Sequence, residues 1–226
     1  MYSMKMKFLG KQQLLTDVYT FMFEPEQPIE WQPGQYMHYL FQHPSPDERG
    51  IERWFTISAP PYEKHITITT RLAADHGSSF KHALMNLKEG DTVEADGPKG
   101  KFVLQAGASP HVLIAGGIGI TPYHAMLAQL AHDNQPANAD LLYANRDNQF
   151  VFDEELAAIG AKDPTLKIIK FIDKKITEED LKPYLSDSKS VFYLSGPKAM
   201  VESYEGLLGS LGVEEGRIMT DYFPGY

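Results

Sequence analysis

The sequence predicts two domains, an antiparallel Greek-key β-barrel over residues 1–106 followed by an α/β domain with a parallel sheet over residues 107–226. The first part consists of short β-rich segments separated by turn-forming residues. From His111 onward, short apolar segments alternate with segments of helical periodicity. A chain of 226 residues with 42% hydrophobic residues is long enough to bury two modest cores.

The barrel is predicted from its strands and from one helix that interrupts them. The predicted strands are residues 18–23, 35–41, 54–58, 65–71, 91–96 and 101–104. The helix is predicted over residues 78–87, where Ser78 or Ser79 serves as N-cap and Leu84 belongs to an apolar face. A small antiparallel barrel is the simplest architecture for this order of elements.

The second domain is predicted from four strand and helix pairs. They are residues 112–115 with 123–131, 140–144 with 154–159, 166–171 with 177–184, and 190–194 with 198–211. Such a series implies a parallel sheet with crossover helices. Residues 105–110 are interpreted as the linker between the domains.

Composition and charge exclude several functional classes. The net charge of −9 comes from interspersed acids and bases, which is not the pattern of a nucleic-acid-binding surface. No window reaches the roughly 18 apolar residues of a membrane helix, and the first residues do not resemble a signal peptide. With zero cysteines, disulfides and thiolate-ligated clusters are excluded. The scattered histidines predict no metal site, and we expect a cytoplasmic protein that binds neither membranes nor nucleic acid.

The most informative motif is a glycine turn between an apolar strand and a helix. Gly116, Gly117 and Gly119 follow the predicted strand, and Thr121 and Pro122 open the next helix. Glycines let a backbone approach a pyrophosphate closely, and free N–H groups at a helix N-terminus favour an anion. The alternative is a structural strand-to-helix turn without a ligand, and the motif alone does not decide which nucleotide would bind.

A second motif lies in the barrel half, where Arg53, Trp54, Phe55 and Thr56 begin a strand that continues to Ser58. Alternation places the side chains of Arg53 and Phe55 on one face and those of Trp54 and Thr56 on the other. Together with the glycine turn, and over essentially the whole chain, this resembles the ferredoxin-NADP reductase family. The resemblance implies that the barrel binds FAD and that the α/β domain binds NADH or NADPH.

The resemblance also implies roles for the residues of that strand. Arg53 would pair with a flavin phosphate, Phe55 would pack on the ring system beside Trp54, and Thr56 would hydrogen-bond near the reactive ring nitrogen. The family usually has tyrosine where this chain has Phe55, so the aromatic surface is kept and one hydroxyl is lost.

Two further barrel segments resemble flavin-binding stretches of the family. Gly77, Ser78 and Ser79 would hold the pyrophosphate at a helix N-terminus, and Thr69, Thr70 and Arg71 would border the flavin ring and its phosphates. A simple N-cap is the alternative for each serine, and a solvated strand residue is the alternative for Arg71.

In the α/β domain, Asn145 and Arg146 would face the dinucleotide at the carboxyl edge of the sheet. Ser195, Gly196 and Pro197 resemble the family's turn beside the nicotinamide ring, with Ser195 in place of the usual cysteine. The alternatives are a surface arginine and a strand-to-helix turn with proline at its start.

The sequence ends in an aromatic segment, in which Phe223 or Tyr226 would cover the flavin ring by the same resemblance. A docked tail that fills a groove is the alternative. Thr56, Ser195 and Phe223 are the predicted catalytic residues.

The predicted function is transfer of hydride from a nicotinamide dinucleotide to FAD, with electrons passed to a separate acceptor: a ferredoxin, a flavodoxin or an oxygenase component. FAD is preferred over FMN, and the choice between NADH and NADPH stays open although Arg146 and Lys174 could contact a 2′-phosphate. One alternative is a reductase of free flavins or ferric complexes. A second is a non-catalytic subunit that senses nucleotide.

Overall fold

The computed structural model describes residues 3–72, 77–108 and 110–222. In the first half, six strands and one helix follow one another. They are β1 (Met4–Leu15), β2 (Val18–Pro25), β3 (Tyr36–Leu40), β4 (Glu52–Thr56), β5 (Ile66–Arg71), α1 (Ser79–Asn86) and β6 (Thr92–Lys99). Ser78 is the N-cap of α1 and accepts a hydrogen bond from the Lys81 amide, as the sequence predicts.

The six strands form one antiparallel sheet in the order β4-β3-β6-β1-β2-β5. Beyond β4, the amide of Ser58 donates to the carbonyl of Thr67 in β5 over 3.1 Å, which brings the two edges of the sheet together. Aromatic side chains such as Phe8, Phe23 and Tyr39 fill the interior. The predicted barrel is therefore confirmed.

The second half is a parallel sheet with helices. Its elements are β7 (His111–Gly116), α2 (Thr121–His132), β8 (Ala139–Asn145), α3 (Asp153–Lys162), β9 (Leu166–Ile172), α4 (Glu178–Leu185), β10 (Val191–Ser195), α5 (Lys198–Ser210) and β11 (Ile218–Asp221). The strand order β11-β10-β7-β8-β9 places β7 in the centre, and all four pairings are parallel. Every residue of β7 and β10 is buried and most are apolar, as expected for strands covered on both faces.

One hydrophobic cluster contains side chains from both halves. Val18 and Phe102 from the first half pack with Leu113, Tyr123 and Tyr193 from the second. The Tyr193 hydroxyl accepts a hydrogen bond from the amide of Gln105 over 2.8 Å, which holds the connecting segment against the sheet. Barrel and α/β sheet are thus packed directly on each other.

One predicted strand is wrong, and two observed strands were not predicted. Residues 101–104 form no strand, because the side chain of Phe102 enters the core between the domains and the amide of Val103 bonds back to the carbonyl of Lys101. Strands β1 and β11 were not predicted at all. No helix in the described ranges has the length and apolar character needed to cross a membrane.

Candidate functional site

A cavity of about 970 Å³ lies where the barrel meets the carboxyl edge of the parallel sheet. It brings together most of the side chains and glycines that the sequence singled out. Those that line it are Trp54, Phe55, Thr56, Thr69, Thr70, Arg71, Gly116, Gly117, Gly119, Thr121, Asn145, Arg146, Ser195, Gly196 and Pro197. Both domains therefore contribute to a single site of the size that small-molecule ligands occupy.

The glycine turn packs tightly against neighbouring residues. Its three glycines border the cavity without a side chain. A Cβ atom at Gly119 would lie 2.3 Å from the carbonyl oxygen of Ser195, and one at Gly116 would lie 2.3 Å from Sδ of Met200. Gly117 has φ +54°, a left-handed conformation that favours glycine. The turn can thus approach a ligand through backbone alone, at the start of the twelve-residue helix α2.

The side chain of Tyr143 is hydrogen-bonded to this turn. Its buried hydroxyl donates to the carbonyl of Gly117 over 3.1 Å and accepts from the amide of Val151 over 3.2 Å. Burial raises the pKa of Tyr143 well above its usual range, so the hydroxyl keeps its proton. A tyrosine inside an apolar strand looks like an ordinary core residue, so the sequence does not mark Tyr143 as part of a site.

We expect Tyr143→Phe to lower the free energy of unfolding by about 1–2 kcal/mol, since the buried amide of Val151 and the partly buried carbonyl of Gly117 lose their partner. Affinity for the nicotinamide nucleotide should fall with it, because Gly117 is released. Chemical denaturation and a nucleotide titration measure both effects. Tyr62→Phe, at a ring that is 37% exposed, is the matched control and should change neither.

The strand β4 presents its two faces as predicted. Phe55 packs toward the barrel interior against Phe80 and Tyr39, with ring centroids 6.0 Å apart in both cases. On the other face, Trp54 stacks on His38 at 4.5 Å, and Thr56 points toward the second domain. Phe55 and Trp54 both border the cavity.

The two predicted catalytic residues within the described chain meet on one carboxylate. The hydroxyl of Thr56 donates to Oδ2 of Asp221 over 3.1 Å, and that of Ser195 donates to the same oxygen over 3.2 Å. Asp221 is the last residue of β11 and is buried. Desolvation raises its pKa to about 6, although the two hydroxyl hydrogen bonds act in the opposite direction. Asp221 is a site residue that the sequence analysis missed.

The chain matches two family models, one in each domain. The model described as "Oxidoreductase FAD-binding domain" matches residues 5–104, and the one described as "Oxidoreductase NAD-binding domain" matches residues 113–206. The chain belongs to the ferredoxin-NADP reductase superfamily. Its two domains are those of oxidoreductases that bind FAD and a nicotinamide dinucleotide.

Two proteins with similar sequences are a flavohemoprotein and a dioxygenase subunit. A flavohemoprotein of Rhodopirellula baltica is 27% identical over 223 residues, which is 88% of this chain and 55% of the relative. The phenoxybenzoate dioxygenase subunit beta of Ectopseudomonas oleovorans is 31% identical over 180 residues, 77% of this chain and 54% of the relative. The chain thus spans about half the length of these relatives.

Solved structures share the fold. The FAD/NAD-binding domain of nitric oxide dioxygenase from Vibrio cholerae aligns with a TM-score of 0.81 at 24% identity, covering 97% of this chain and 98% of the other. This agreement confirms the two-domain architecture of the superfamily for the present chain.

On the FAD-domain side, positive charge concentrates at the end of the cavity that Arg71 and Lys81 line. Arg71 binds both carboxylate oxygens of Asp17, at 2.8 and 2.6 Å. The Lys81 ammonium donates to the carbonyl of Arg71 over 3.1 Å. Burial, together with the neighbouring charges of Arg49 and Arg53, lowers the pKa of Lys81 to about 8. Such crowding favours an anion at this end of the site.

Other predicted FAD-domain residues lie outside the cavity lining. The Arg53 guanidinium donates to the carbonyl of Arg49 over 2.6 Å and lies 5.5 Å from the ring centre of Phe80. The helix start after Gly77 is occupied by a carboxylate, since Asp47 Oδ2 accepts the Ser79 amide at 2.8 Å. Phosphate contacts by Arg53, Gly77, Ser78 and Ser79 stay predictions. Pro122 is buried in the first turn of α2 and supports the turn without lining the cavity.

In the second domain, the loops after β8 and β9 also border the cavity. The Asn145 amide donates to Oδ1 of Asp147 over 3.0 Å, which fixes the loop that carries Arg146. Lys174 lines the rim after β9. Phe223 and Tyr226 lie outside the described residues. No group of three or more His, Cys, Asp or Glu suited to a metal occurs in the described part of the chain.

Proposed function

We propose that NADH or NADPH reduces FAD held in this cavity and that the electrons then pass to a separate redox protein, a ferredoxin, a flavodoxin or an oxygenase component. The observation that carries the proposal is the meeting of Thr56 from one domain and Ser195 from the other on a single buried oxygen of Asp221. We further propose that the domain boundary lies between residues 106 and 107.

The residues fit the two nucleotides. Arg71 and Lys81 supply positive charge for the FAD phosphates, and Thr69 and Thr70 border the same part of the cavity. The bare glycine turn at the start of α2 suits the pyrophosphate of the nicotinamide nucleotide. When bound, FAD would supply the redox chemistry by accepting hydride from nicotinamide and releasing electrons singly or in pairs.

Asp221 sets the direction of the two hydroxyls in this arrangement. While it is ionised, both hydroxyl protons point at its Oδ2 atom, so the lone pairs of Thr56 and Ser195 are free to accept hydrogen bonds from a ligand. A protonated Asp221 accepts less strongly and competes as a donor. We propose that Asp221 holds or releases a proton at Oδ2 beside the reacting rings.

The first test is anaerobic mixing of the FAD-loaded protein with NADH and, separately, with NADPH. Loss of the visible flavin absorbance band is the expected result. The nucleotide that reduces the flavin faster is the preferred donor. A protein that does not bind FAD and oxidises neither nucleotide would contradict the proposal and favour a nucleotide-sensing subunit.

The acceptor is tested by steady-state turnover with purified ferredoxin, flavodoxin, free flavin and ferric citrate. We expect rapid turnover only with a protein acceptor. Equally rapid turnover with free flavin or ferric citrate would favour the alternative of a free-flavin or ferric reductase.

We expect Lys81→Met to weaken FAD binding by about tenfold or more, because charge-assisted hydrogen bonds to phosphate are among the strong ones. The unfolding temperature of the FAD-free protein should stay the same or rise, since one of three crowded cations is removed. Fluorescence titration with FAD measures the affinity. Lys88→Met, at an exposed lysine just beyond α1, is the control that should bind FAD normally.

A further inference from the structure

His124 on α2 is a buried histidine that contacts the other domain and a neighbouring helix at once. Its Nδ1 lies 2.9 Å from the carbonyl oxygen of Ser58 in the barrel domain. Its Nε2 lies 2.6 Å from Oε2 of Glu155 on α3. The imidazole also stacks on Phe152, with ring centroids 3.7 Å apart and planes inclined by 12°. The ring therefore has one defined orientation between three elements.

The two partners determine how the ring is protonated. A carbonyl oxygen and a carboxylate only accept hydrogen bonds, so each ring nitrogen must carry a proton to satisfy its partner. A neutral imidazole has one donor and would leave one of the two contacts repulsive. The hydrogen bond from His124 is also the main influence that lowers the pKa of Glu155. Both contacts together thus require the imidazolium form.

The position of His124 links it to the site. Ser58 lies two residues beyond Thr56, and α2 begins at Thr121, which lines the cavity. We propose that His124 is a positioning residue whose imidazolium fixes the distance between the FAD-binding and NAD-binding domains across the cavity. Loss of either hydrogen bond releases Ser58 or Glu155 and loosens the nucleotide-binding half of the site.

The other charged groups around His124 are already accounted for. Tyr62, in the segment before β5, feels the charges of Glu155 and Glu63, and Glu63 pairs with His65. At the start of α3, Asp153 pairs with Lys170. Glu155 is the carboxylate at hydrogen-bond distance from the ring.

The test compares His124→Phe, which keeps the stacking on Phe152, with Glu155→Gln, which changes a mostly exposed side chain and removes the charge. His132→Phe on the same helix is the control, because that exposed histidine stacks on Tyr62 by a similar geometry. In both test variants KM for the nicotinamide nucleotide should rise about fivefold to tenfold with kcat within about twofold, an effect of the size lost with one hydrogen bond to a charged group. The control should behave as the unaltered protein does.

Nitrogen NMR of the ring supplies a readout that does not need turnover. The unaltered protein should show both ring nitrogens of His124 protonated and hydrogen-bonded, as its two acceptor partners require. A neutral His124 ring, or an unchanged KM in His124→Phe and Glu155→Gln, would overturn the proposal. The KM measurements rest on the proposed function. If neither nucleotide reduces the flavin, that function fails, while the NMR result still decides the protonation of His124.

Discussion

Asp221→Ala is expected to slow reduction of the bound flavin by NADH or NADPH by about a hundredfold, the size of effect typical for a positioned proton-handling group. The substitution removes the oxygen that accepts both the Thr56 and the Ser195 hydroxyl protons. Without it, those hydroxyls are free to turn their protons toward the ligand. Anaerobic stopped-flow mixing measures the rate, with nucleotide saturation checked so that binding and chemistry are separated.

The pH dependence of this rate has a defined sign. The pKa of Asp221 is raised to about 6 by burial, so the carboxylate that accepts both hydroxyl protons predominates above that pH. The rate should fall as the pH drops below about 6 in the unaltered protein. Asp221→Asn keeps the shape and does not titrate, so its rate should be low and should lack this inflection. An Asn variant with the full rate would show that the carboxylate plays no part.

The free energy of unfolding should depend on pH with the opposite sign to the reduction rate, because it should fall as the pH rises. A carboxyl group with a raised folded-state pKa contributes stability that is fully present below its ordinary pKa of 3.8 and is lost as the pH rises through about 6. The difference between these two values corresponds to about 3 kcal/mol. Asp221→Asn should therefore raise the free energy of unfolding at pH 8 by up to that amount and have little effect near pH 4. Denaturation at the two pH values measures it.

The contrast between the glycine turn and Asp221 explains what the sequence could predict. Gly116, Gly117, Gly119 and Pro122 act through local backbone geometry, so their spacing after an apolar strand is itself the signal. Asp221 acts through partners 165 and 26 residues away along the chain. It also ends a strand of only four residues that has no clear alternation. A contact of that kind becomes visible only when the fold is known.

The barrel domain also contains features that could not be predicted from the sequence. Strand β1 was missed because Met4–Leu15 contains a polar run and an irregularity of pairing at Gly10, which obscure the alternation of side chains. At the start of α1 the resemblance predicted phosphate contacts, whereas the structure places the Asp47 carboxylate on the Ser79 amide. The sequence supports the N-cap at Ser78, but a partner 32 residues away is a property of the folded loop.

Gly119→Ala is expected to damage both stability and nucleotide binding. The added methyl group would lie 2.3 Å from the carbonyl oxygen of Ser195 and 2.6 Å from the Cα atom of Gly196. These are backbone atoms, so no side chain can rotate away, and the turn or the end of β10 must move. Overpacking of this kind typically costs about 1–3 kcal/mol, and we expect a clear fall in melting temperature together with at least about a tenfold loss of nucleotide affinity.

Gly206→Ala provides the matched control, because this glycine lies within α5 and a Cβ atom there meets nothing within 4 Å. Alanine in a helix interior is favoured over glycine by about 0.5–1 kcal/mol, so this variant should be at least as stable as the unaltered protein and should bind nucleotide normally. Calorimetry and titration on both variants separate the effect of position from that of the substitution. If Gly119→Ala kept its melting temperature and its nucleotide affinity, the turn would not need the close approach to β10, and the glycine requirement at residue 119 would be wrong. Because Ser195 lies on that same strand end, a displacement there would also move its hydroxyl away from Asp221, so the variant should lose flavin reduction as well as affinity.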